Sequence, residues 1–111
     1  MSVYVVNLMI DKGADFQQTF DLTASNGQAL NLENYSAAAQ MRKHGKSKTA
    51  FAFTVSFTDR AAGQIKIEMA DSTTRDIKAG RYVYDIVLTD SNSDKIKVLE
   101  GQALVRETVT R

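Results

Sequence analysis

The run GRYVYDIVLTD, residues 80–90, is the feature that most constrains what this chain can fold into. Its odd positions carry a mixture of polar and apolar side chains, whereas its even positions carry large and mostly apolar ones: Tyr82, Tyr84, Ile86 and Leu88. Alternation with a period of two is typical of a β-strand with one buried face and one partly exposed face. Residues 80–90 are therefore predicted to form a long strand, with the other strands arranged around it.

Length and composition narrow the class of protein. The 111 residues, 43% of them hydrophobic, predict one globular domain spanning residues 1–111. The absence of cysteine excludes a disulfide scaffold, a thiolate metal site and a cysteine nucleophile. Fourteen basic and thirteen acidic residues leave a net charge of +1, so no global field is expected to recruit nucleic acid.

The first residues, MSVYVVNLMIDKG, differ from a targeting segment. They contain no basic stretch ahead of the apolar run, and that run is too short to span a bilayer. We therefore expect the protein to be made in a cytoplasm, without secretion and without a membrane anchor or membrane partner.

Two strands are predicted near the start of the chain. Residues 3–10 are β-branched and apolar, and they are followed by Asp11, Lys12 and Gly13, which favour a turn. Residues 15–22 alternate between apolar and polar side chains and predict a second strand. The short connection predicts that the two strands form a hairpin.

Apolar side chains lie on both faces of the predicted first strand. One face carries Val3, Val5 and Met9, and the other carries Tyr4, Val6, Leu8 and Ile10. A strand covered on both sides is difficult to arrange in so small a domain. One hypothesis is that one face packs on the core while the other meets a partner subunit, and the candidate interface residues are Tyr4, Val6, Leu8 and Ile10. The alternative is that loops of the same chain cover the second face.

Two segments in the first half of the chain are harder to assign. In SNGQALNLEN the pair Asn26-Gly27 predicts a turn, and Leu30 and Leu32 are expected to return to the core. In YSAAAQMRK, residues 35–43, three consecutive alanines favour a helix by propensity, whereas the alternation favours a strand. We predict a strand, because the segment has no helical cap and lies between two other strand signals.

The second half of the chain predicts three further strands and one helical turn. Residues 50–57 and 64–70 alternate clearly and predict an antiparallel hairpin around the turn at residues 59–63. Residues 71–78 are polar and begin with an aspartate suited to an N-cap, so one turn of helix is predicted there. Residues 95–106 predict the last strand.

The apolar positions of the last strand change parity near Glu100 and Gly101, which predicts a β-bulge at these residues. With it, the chain contains seven strands of roughly even spacing joined by turns. This arrangement predicts an all-β fold, an immunoglobulin-like antiparallel β-sandwich with one short helical turn near residues 71–77.

The start of the long strand supports this fold. Immunoglobulin-type domains carry a tyrosine that follows a small residue by two positions, and here Tyr82 follows Gly80. Tyr82 is therefore predicted to be a structural anchor whose hydroxyl bonds to backbone near Asp76 and Ile77. Tyr84 stands where antibody domains have a cysteine.

Catalytic patterns are missing from the sequence. His44 is the only histidine, so a single chain cannot build a histidine-based metal site or triad. Most carboxylates fall in turns, and mid-strand Asp85 is predicted to form an ion pair with Lys97 or Arg81. No phosphate loop, dinucleotide fingerprint or zinc spacing occurs. We therefore predict no enzymatic activity, no cofactor and no metal site.

The basic segment KHGKSK, residues 43–48, allows two interpretations. Its three lysines could form a phosphate-binding patch with Arg42 and His44. A solvated hairpin loop of the same composition needs no ligand, and we favour this interpretation.

Three segments resemble a known family. They are LENYSAAAQMRK at residues 32–43, AGRYVYD at residues 79–85 and LEGQALVRETVTR at residues 99–111. Their order is similar to that of the immunoglobulin-like domain of tailed-bacteriophage virion proteins, typified by the N-terminal domain of baseplate upper proteins. The resemblance covers nearly the whole chain, and its motifs are structural.

The resemblance implies a virion protein that is present in many copies or as a homo-oligomer and binds other phage virion proteins. Baseplate upper proteins continue into fibre segments, whereas this sequence stops after the domain. We therefore expect an adaptor, decoration or cement subunit at the baseplate, tail, neck or capsid surface. Contacts are expected at the first strand, at the loop edges and in the tail that ends at Arg111.

The competing interpretation is a carbohydrate-binding β-sandwich that contacts the host cell surface. Such sites usually expose aromatic side chains, often tryptophan. This chain has no tryptophan, and most of its aromatic residues fall on the predicted inward faces.

Overall fold

The computed structural model describes residues 4–24 and 27–109, and it confirms the predicted all-β, sandwich-like fold. The elements in chain order are β1 (Tyr4–Val5), β2 (Leu8–Asp11), β3 (Phe16–Asp21), β4 (Ser36–Arg42), β5 (Ala50–Asp59), β6 (Gln64–Met69), α1 (Asp71–Thr74), β7 (Gly80–Thr89) and β8 (Lys95–Arg106). The ambiguous alanine-rich segment forms β4, as its alternation predicts.

The strands follow one another across the sheet in the order β1, β8, β7, β4, β5, β6 and β3, with β2 also paired to β8. The long strand β5 joins the two layers, because it pairs with β4 as far as Phe53 and with β6 from Thr54 onwards. The sheet therefore curls into a half-barrel whose concave side encloses the core.

Alternation places the inward side chains as predicted in β6 and β7. In β7 the even positions from Tyr82 to Leu88 are buried, and Ile86 and Leu88 are fully inaccessible. In β6 the odd positions are buried, and β5 pairs with β6 in the predicted antiparallel hairpin. Leu32 is also fully buried, although it lies in a connection, whereas Leu30 is only partly covered.

The predicted hairpin between the first two strands is wrong. β1 and β2 pair in parallel with β8, and β3 pairs with β6 at the other edge of the sheet. The turn after Asp11 carries the chain from one layer to the other. A short connection thus joins two strands that do not pair, because each gains a longer partner elsewhere.

The first predicted strand is interrupted at Val6, between β1 and β2, where the backbone lies very close to β8. The Val6 N–H donates to the Glu100 carbonyl oxygen at 2.9 Å, and its own carbonyl oxygen accepts a bond from the Tyr84 hydroxyl at 2.6 Å. A Cβ atom at Gly101 would stand 2.0 Å from that carbonyl oxygen. Only glycine leaves room for the Val6 backbone to approach β8 this closely.

The β-bulge of β8 lies earlier than predicted. Ile86 faces Leu99 and Val87 faces Lys97, so Val98 is the extra residue, and Glu100 and Gly101 pair regularly with β7. Val98 and Leu99 are consecutive, yet both are buried, as expected when a bulge turns two neighbours toward one side.

The connection from β6 to β7 contains the predicted helical turn and the tyrosine anchor. The N-cap residue is Ala70 and makes no side-chain cap bond, so the predicted aspartate cap is wrong. The Asp71 N–H donates a hydrogen bond to the carboxylate of Asp15 at 2.8 Å. The Tyr82 hydroxyl donates to the Lys78 carbonyl oxygen at 2.6 Å, which confirms an anchor to upstream backbone but places it closer than Asp76 and Ile77.

Candidate protein-interaction surface

Exposed apolar side chains are concentrated on the convex side of the sheet. The exposed large hydrophobic residues of the described chain are Tyr4, Val5, Met9, Val83 and Val109. Val5, Met9 and Val83 retain 72%, 60% and 39% of their accessible area and lie on β1, β2 and β7, the strands that flank β8. Their clustering on a rigid sheet marks this side as a candidate interface.

Strand pairing arranges this surface in three rows that run across the strands. The lower row holds Met9, Leu104 and Arg81, the middle row holds Gln102, Val83 and Arg42, and the upper row holds Val5, Glu100, Asp85 and Gln40. We call these ten residues the outer face. The parity of β7 and β8 directs their side chains away from the core.

Charge is distributed unevenly over the outer face. The Lys97 ammonium, which lies next to the upper row, is 3.8 Å from the Asp85 carboxylate and 3.9 Å from that of Glu100, so two anions share one cation. In the lower row, Arg81 is exposed and makes no ion pair within the described residues. The upper row is therefore net negative and the lower row is net positive.

Arg42, in the middle row, is held by its own chain. Its guanidinium donates to the Ser47 carbonyl oxygen at 2.7 Å and to the Gln40 side-chain oxygen at 3.1 Å. These bonds direct the guanidinium along β4 and into the following loop, so this cation is less available than Arg81.

Two shallow depressions adjoin each other on the outer face and share Gln102. The larger, of about 410 Å³, lies between Val5 and Val83 and is bordered by the charges of the upper row. The second, of about 380 Å³, lies between Met9 and Arg81. Both are open to solvent, a shape suited to protruding side chains of a protein partner.

Most residues of the predicted interface belong to the interior or are bonded within the chain. Leu8 and Ile10 are buried in the core, at 4% and 0% exposure, so they cannot present a surface to a partner. Tyr4 bonds through its hydroxyl to Thr23, the Val6 carbonyl oxygen accepts the bond from Tyr84, and Arg111 lies outside the described residues.

The two-faced character of the first strand is nevertheless observed, with its faces exchanged. The side that carries Val5 and Met9 is outward, whereas the interface prediction used the opposite side. Alternation separates two faces of a strand but does not identify which one meets the core. Val83 is not among the interface residues predicted from the sequence, although its odd position in β7 assigns it to the less apolar face.

Other candidate sites are explained by contacts within the chain. Asp85 pairs with Lys97, one of the two predicted cations, rather than with Arg81. In the basic loop, the Lys43 ammonium lies over the Tyr82 ring, 5.0 Å from its centroid, which gives that lysine a structural contact. Within residues 4–24 and 27–109, no group of three histidine, cysteine or acidic side chains could hold a metal ion. No helix in those ranges is long and apolar enough to cross a membrane.

No protein-family model matches the chain, and no curated protein matches it. Among solved structures, the chain resembles part of an internalin-like protein of Listeria monocytogenes, with 11% identity and a TM-score of 0.49 over 96% of this chain and 28% of that one. It also resembles part of a family 123 glycoside hydrolase of Clostridium perfringens, with 12% identity and a TM-score of 0.46 over 100% of this chain and 24% of that one. This chain therefore spans less than a third of either protein, and neither likeness bears on its function.

Proposed function

We propose that this chain is a non-enzymatic structural protein of a tailed-phage virion. It acts as an adaptor, decoration or cement subunit that binds other virion proteins, and its outer face is a protein-interaction surface. Two features support the proposal: the resemblance of residues 32–43, 79–85 and 99–111 to the phage immunoglobulin-like domain, and the exposed apolar outer face itself.

The observation that carries the proposal is the exposure of Val5, Met9 and Val83 on one rigid surface. Covering apolar area yields roughly 25 cal/mol per Å², and a large part of the area of these side chains is left uncovered by their own chain. The charged residues of the upper and lower rows border this apolar centre, as in protein interfaces with an apolar core and a polar rim.

A carbohydrate partner is less well supported. The exposed aromatic side chain among the described residues is Tyr4, at 37%, and its hydroxyl already bonds to Thr23. A sugar-binding platform needs aromatic rings that are free to stack on the ligand. The outer face offers valine, methionine and leucine instead, which suit a protein surface.

The proposal is tested on particles purified from cells that express the chain together with the phage structural genes. We expect mass spectrometry to find the protein in the particles and cryo-electron microscopy to show its outer face covered by a protein subunit. Its absence from purified particles would sink the proposal.

A substitution links incorporation to the surface. Val83→Asp puts a charge at the centre of the outer face and is expected to reduce incorporation at least about tenfold, because a buried unpaired charge opposes association. The matched control is Val109→Asp, which changes another exposed valine outside the outer face. Equal incorporation of both variants would argue against this surface.

A further inference from the structure

We propose that the outer face pairs two copies of this chain, with β7 of one copy lying antiparallel across β7 of the other. The two-fold axis lies between the sheets and runs along the middle row, through Val83 and Gln102. The inference rests on the proposed function only in taking the outer face as a protein interface, and it names the occupant of that face as a second copy.

The spacing of charge along β7 carries the inference. Arg81 and Asp85 lie on the same face, two residues to either side of Val83. A two-fold axis across the strand reverses the direction of the second β7, so Arg81 of each copy faces Asp85 of the other. Each contact is made twice, because the interface is isologous.

The Lys97 ammonium leaves this contact possible. It lies between Asp85 and Glu100, so the upper row keeps an excess of negative charge. In the lower row, Arg81 has no ion pair in the described parts of the chain. An excess anion and an available cation thus occupy positions that the two-fold axis brings together.

The apolar residues agree with the same register. The axis places the lower row of one copy over the upper row of the other, so Met9 meets Val5, and Val83 meets its own counterpart. These are the exposed apolar residues of the face, with 60%, 72% and 39% of their area accessible. Leu104 comes to lie over the aliphatic stem of Glu100.

The alternative orientation is disfavoured by charge. An axis parallel to the strands would leave the upper rows over one another and bring Asp85 close to Glu100 of the second copy, a contact between like charges. Among the ten residues of the outer face, the antiparallel arrangement has one such contact, between the two Arg42 side chains. Their bonds to Ser47 and Gln40 direct both guanidinium groups along their own chains.

The test uses charge exchange and sedimentation equilibrium. The wild-type chain is expected to dimerise at micromolar concentration. Arg81→Asp leaves acidic groups at both charged positions of β7, and Asp85→Arg leaves basic groups at both. Each variant alone is expected to dimerise at least about tenfold more weakly, because like charges then face each other twice.

Two combinations are expected to restore association. An equimolar mixture of the two single variants forms a one-to-one heterodimer, since every acidic group then faces a basic one. The double variant Arg81→Asp/Asp85→Arg forms a homodimer again, because the two-fold axis exchanges the two positions. A folding defect would not be corrected by mixing, so restoration separates assembly from stability.

Two further variants sharpen the register. Arg42→Gln removes the like-charge contact and is expected to strengthen the dimer two- to threefold or more, on the order of the effect of one exposed charge pair. Val109→Asp lies outside the outer face and is expected to leave association unchanged. Circular dichroism and thermal unfolding confirm that each variant is folded.

Three outcomes overturn the inference: a wild-type chain that stays monomeric at about 100 μM, folded single variants that dimerise as the wild type does, or a mixture that does not associate. A monomer whose outer face contacts a different protein in particles would refute the inference and leave the proposed function standing. If the chain forms a dimer with the predicted charge dependence but is absent from particles, the inference stands and the proposed function is refuted.

Discussion

The two faces of β7 and β8 differ in environment far more than in residue type. Val105 on the concave side is 1% exposed, whereas Val83 on the convex side is 39% exposed. Ile86 is fully buried and lies only three positions from Val83 along the same strand. The curvature of the sheet places other strands across from the concave side only. Burial here depends on what the fold brings opposite a side chain, and four substitutions test this difference.

Ile86→Ala is expected to have the largest effect. Ile86 lies between Ala39 and Leu99 in the register of the sheet and is fully buried, so its truncation leaves a cavity in the core. The free energy of unfolding should fall by about 2–5 kcal/mol, measured by urea denaturation. A loss below about 1 kcal/mol would contradict the assignment of this side to the core.

Gly101→Ala is expected to follow. The new Cβ atom would stand 2.0 Å from the Val6 carbonyl oxygen, so the segment between β1 and β2 must shift. We expect a loss of about 1–3 kcal/mol in the free energy of unfolding, similar to other overpacking changes.

The control for Gly101→Ala is Gly45→Ala, since a Cβ atom at Gly45 meets nothing within 4 Å. Hydrogen exchange should show lost protection in residues 4–11 for the Gly101 variant alone. Equal exchange in both variants would show that the contact between Val6 and β8 tolerates a side chain at residue 101.

Tyr84→Phe removes the hydroxyl that donates to the Val6 carbonyl oxygen, at an expected loss of about 1 kcal/mol. Tyr82→Phe is the matched control, because it removes a bond of equal length to Lys78, only four residues away. Exchange in residues 4–11 should rise for Tyr84→Phe and not for Tyr82→Phe. A rise in both variants would contradict separate roles for the two hydroxyls.

The pH dependence of stability provides a second measurement on Tyr84. Burial raises the pKa of its hydroxyl above the ordinary value of about 10, so the unfolded chain ionises first as the pH rises. The contribution of this hydroxyl to the free energy of unfolding is fully present below pH 10. It is lost as the pH rises from there through the raised pKa of the folded state. The decline in unfolding free energy above pH 10 should therefore be smaller in Tyr84→Phe than in the wild type.

Val83→Thr is expected to have the smallest effect on stability. The side chain keeps its β-branched shape and already contacts water, so the free energy of unfolding should change by less than about 0.5 kcal/mol. The substitution should instead weaken dimerisation, as measured by sedimentation equilibrium. A loss near that of Ile86→Ala would erase the difference between the two faces.

Local periodicity predicts where the strands of this fold lie in the sequence better than it predicts which strands pair. The alternation of β5, β6 and β7 and the turn between β5 and β6 follow from residues close in sequence. Pairing of β1 and β2 with β8 joins Tyr4 to Leu99 and Ile10 to Val105, and no local pattern specifies such a partner. A short turn therefore suggested a hairpin that the fold does not contain.

The candidate surface was only partly accessible to sequence reasoning. The apolar character of both sides of the first strand indicated that one side would remain uncovered. Identifying that side requires the register with β8, which buries Leu8 and Ile10 and exposes Met9. The rows of the outer face combine residues from five strands, so their charge pattern becomes visible only when the strands are aligned.

The parallel pairing of β1 and β2 with β8 also bears on how the protein folds during synthesis. β1 and β2 leave the ribosome before β8, and they lack their hydrogen-bonding partner until β8 has emerged. Until then the apolar side chains of Leu8 and Ile10 remain uncovered and are open to chaperones or to neighbouring nascent chains. Pairing of strands so distant in sequence is also slow, because a long loop must close first. Completion of this fold is therefore expected to follow translation of β8.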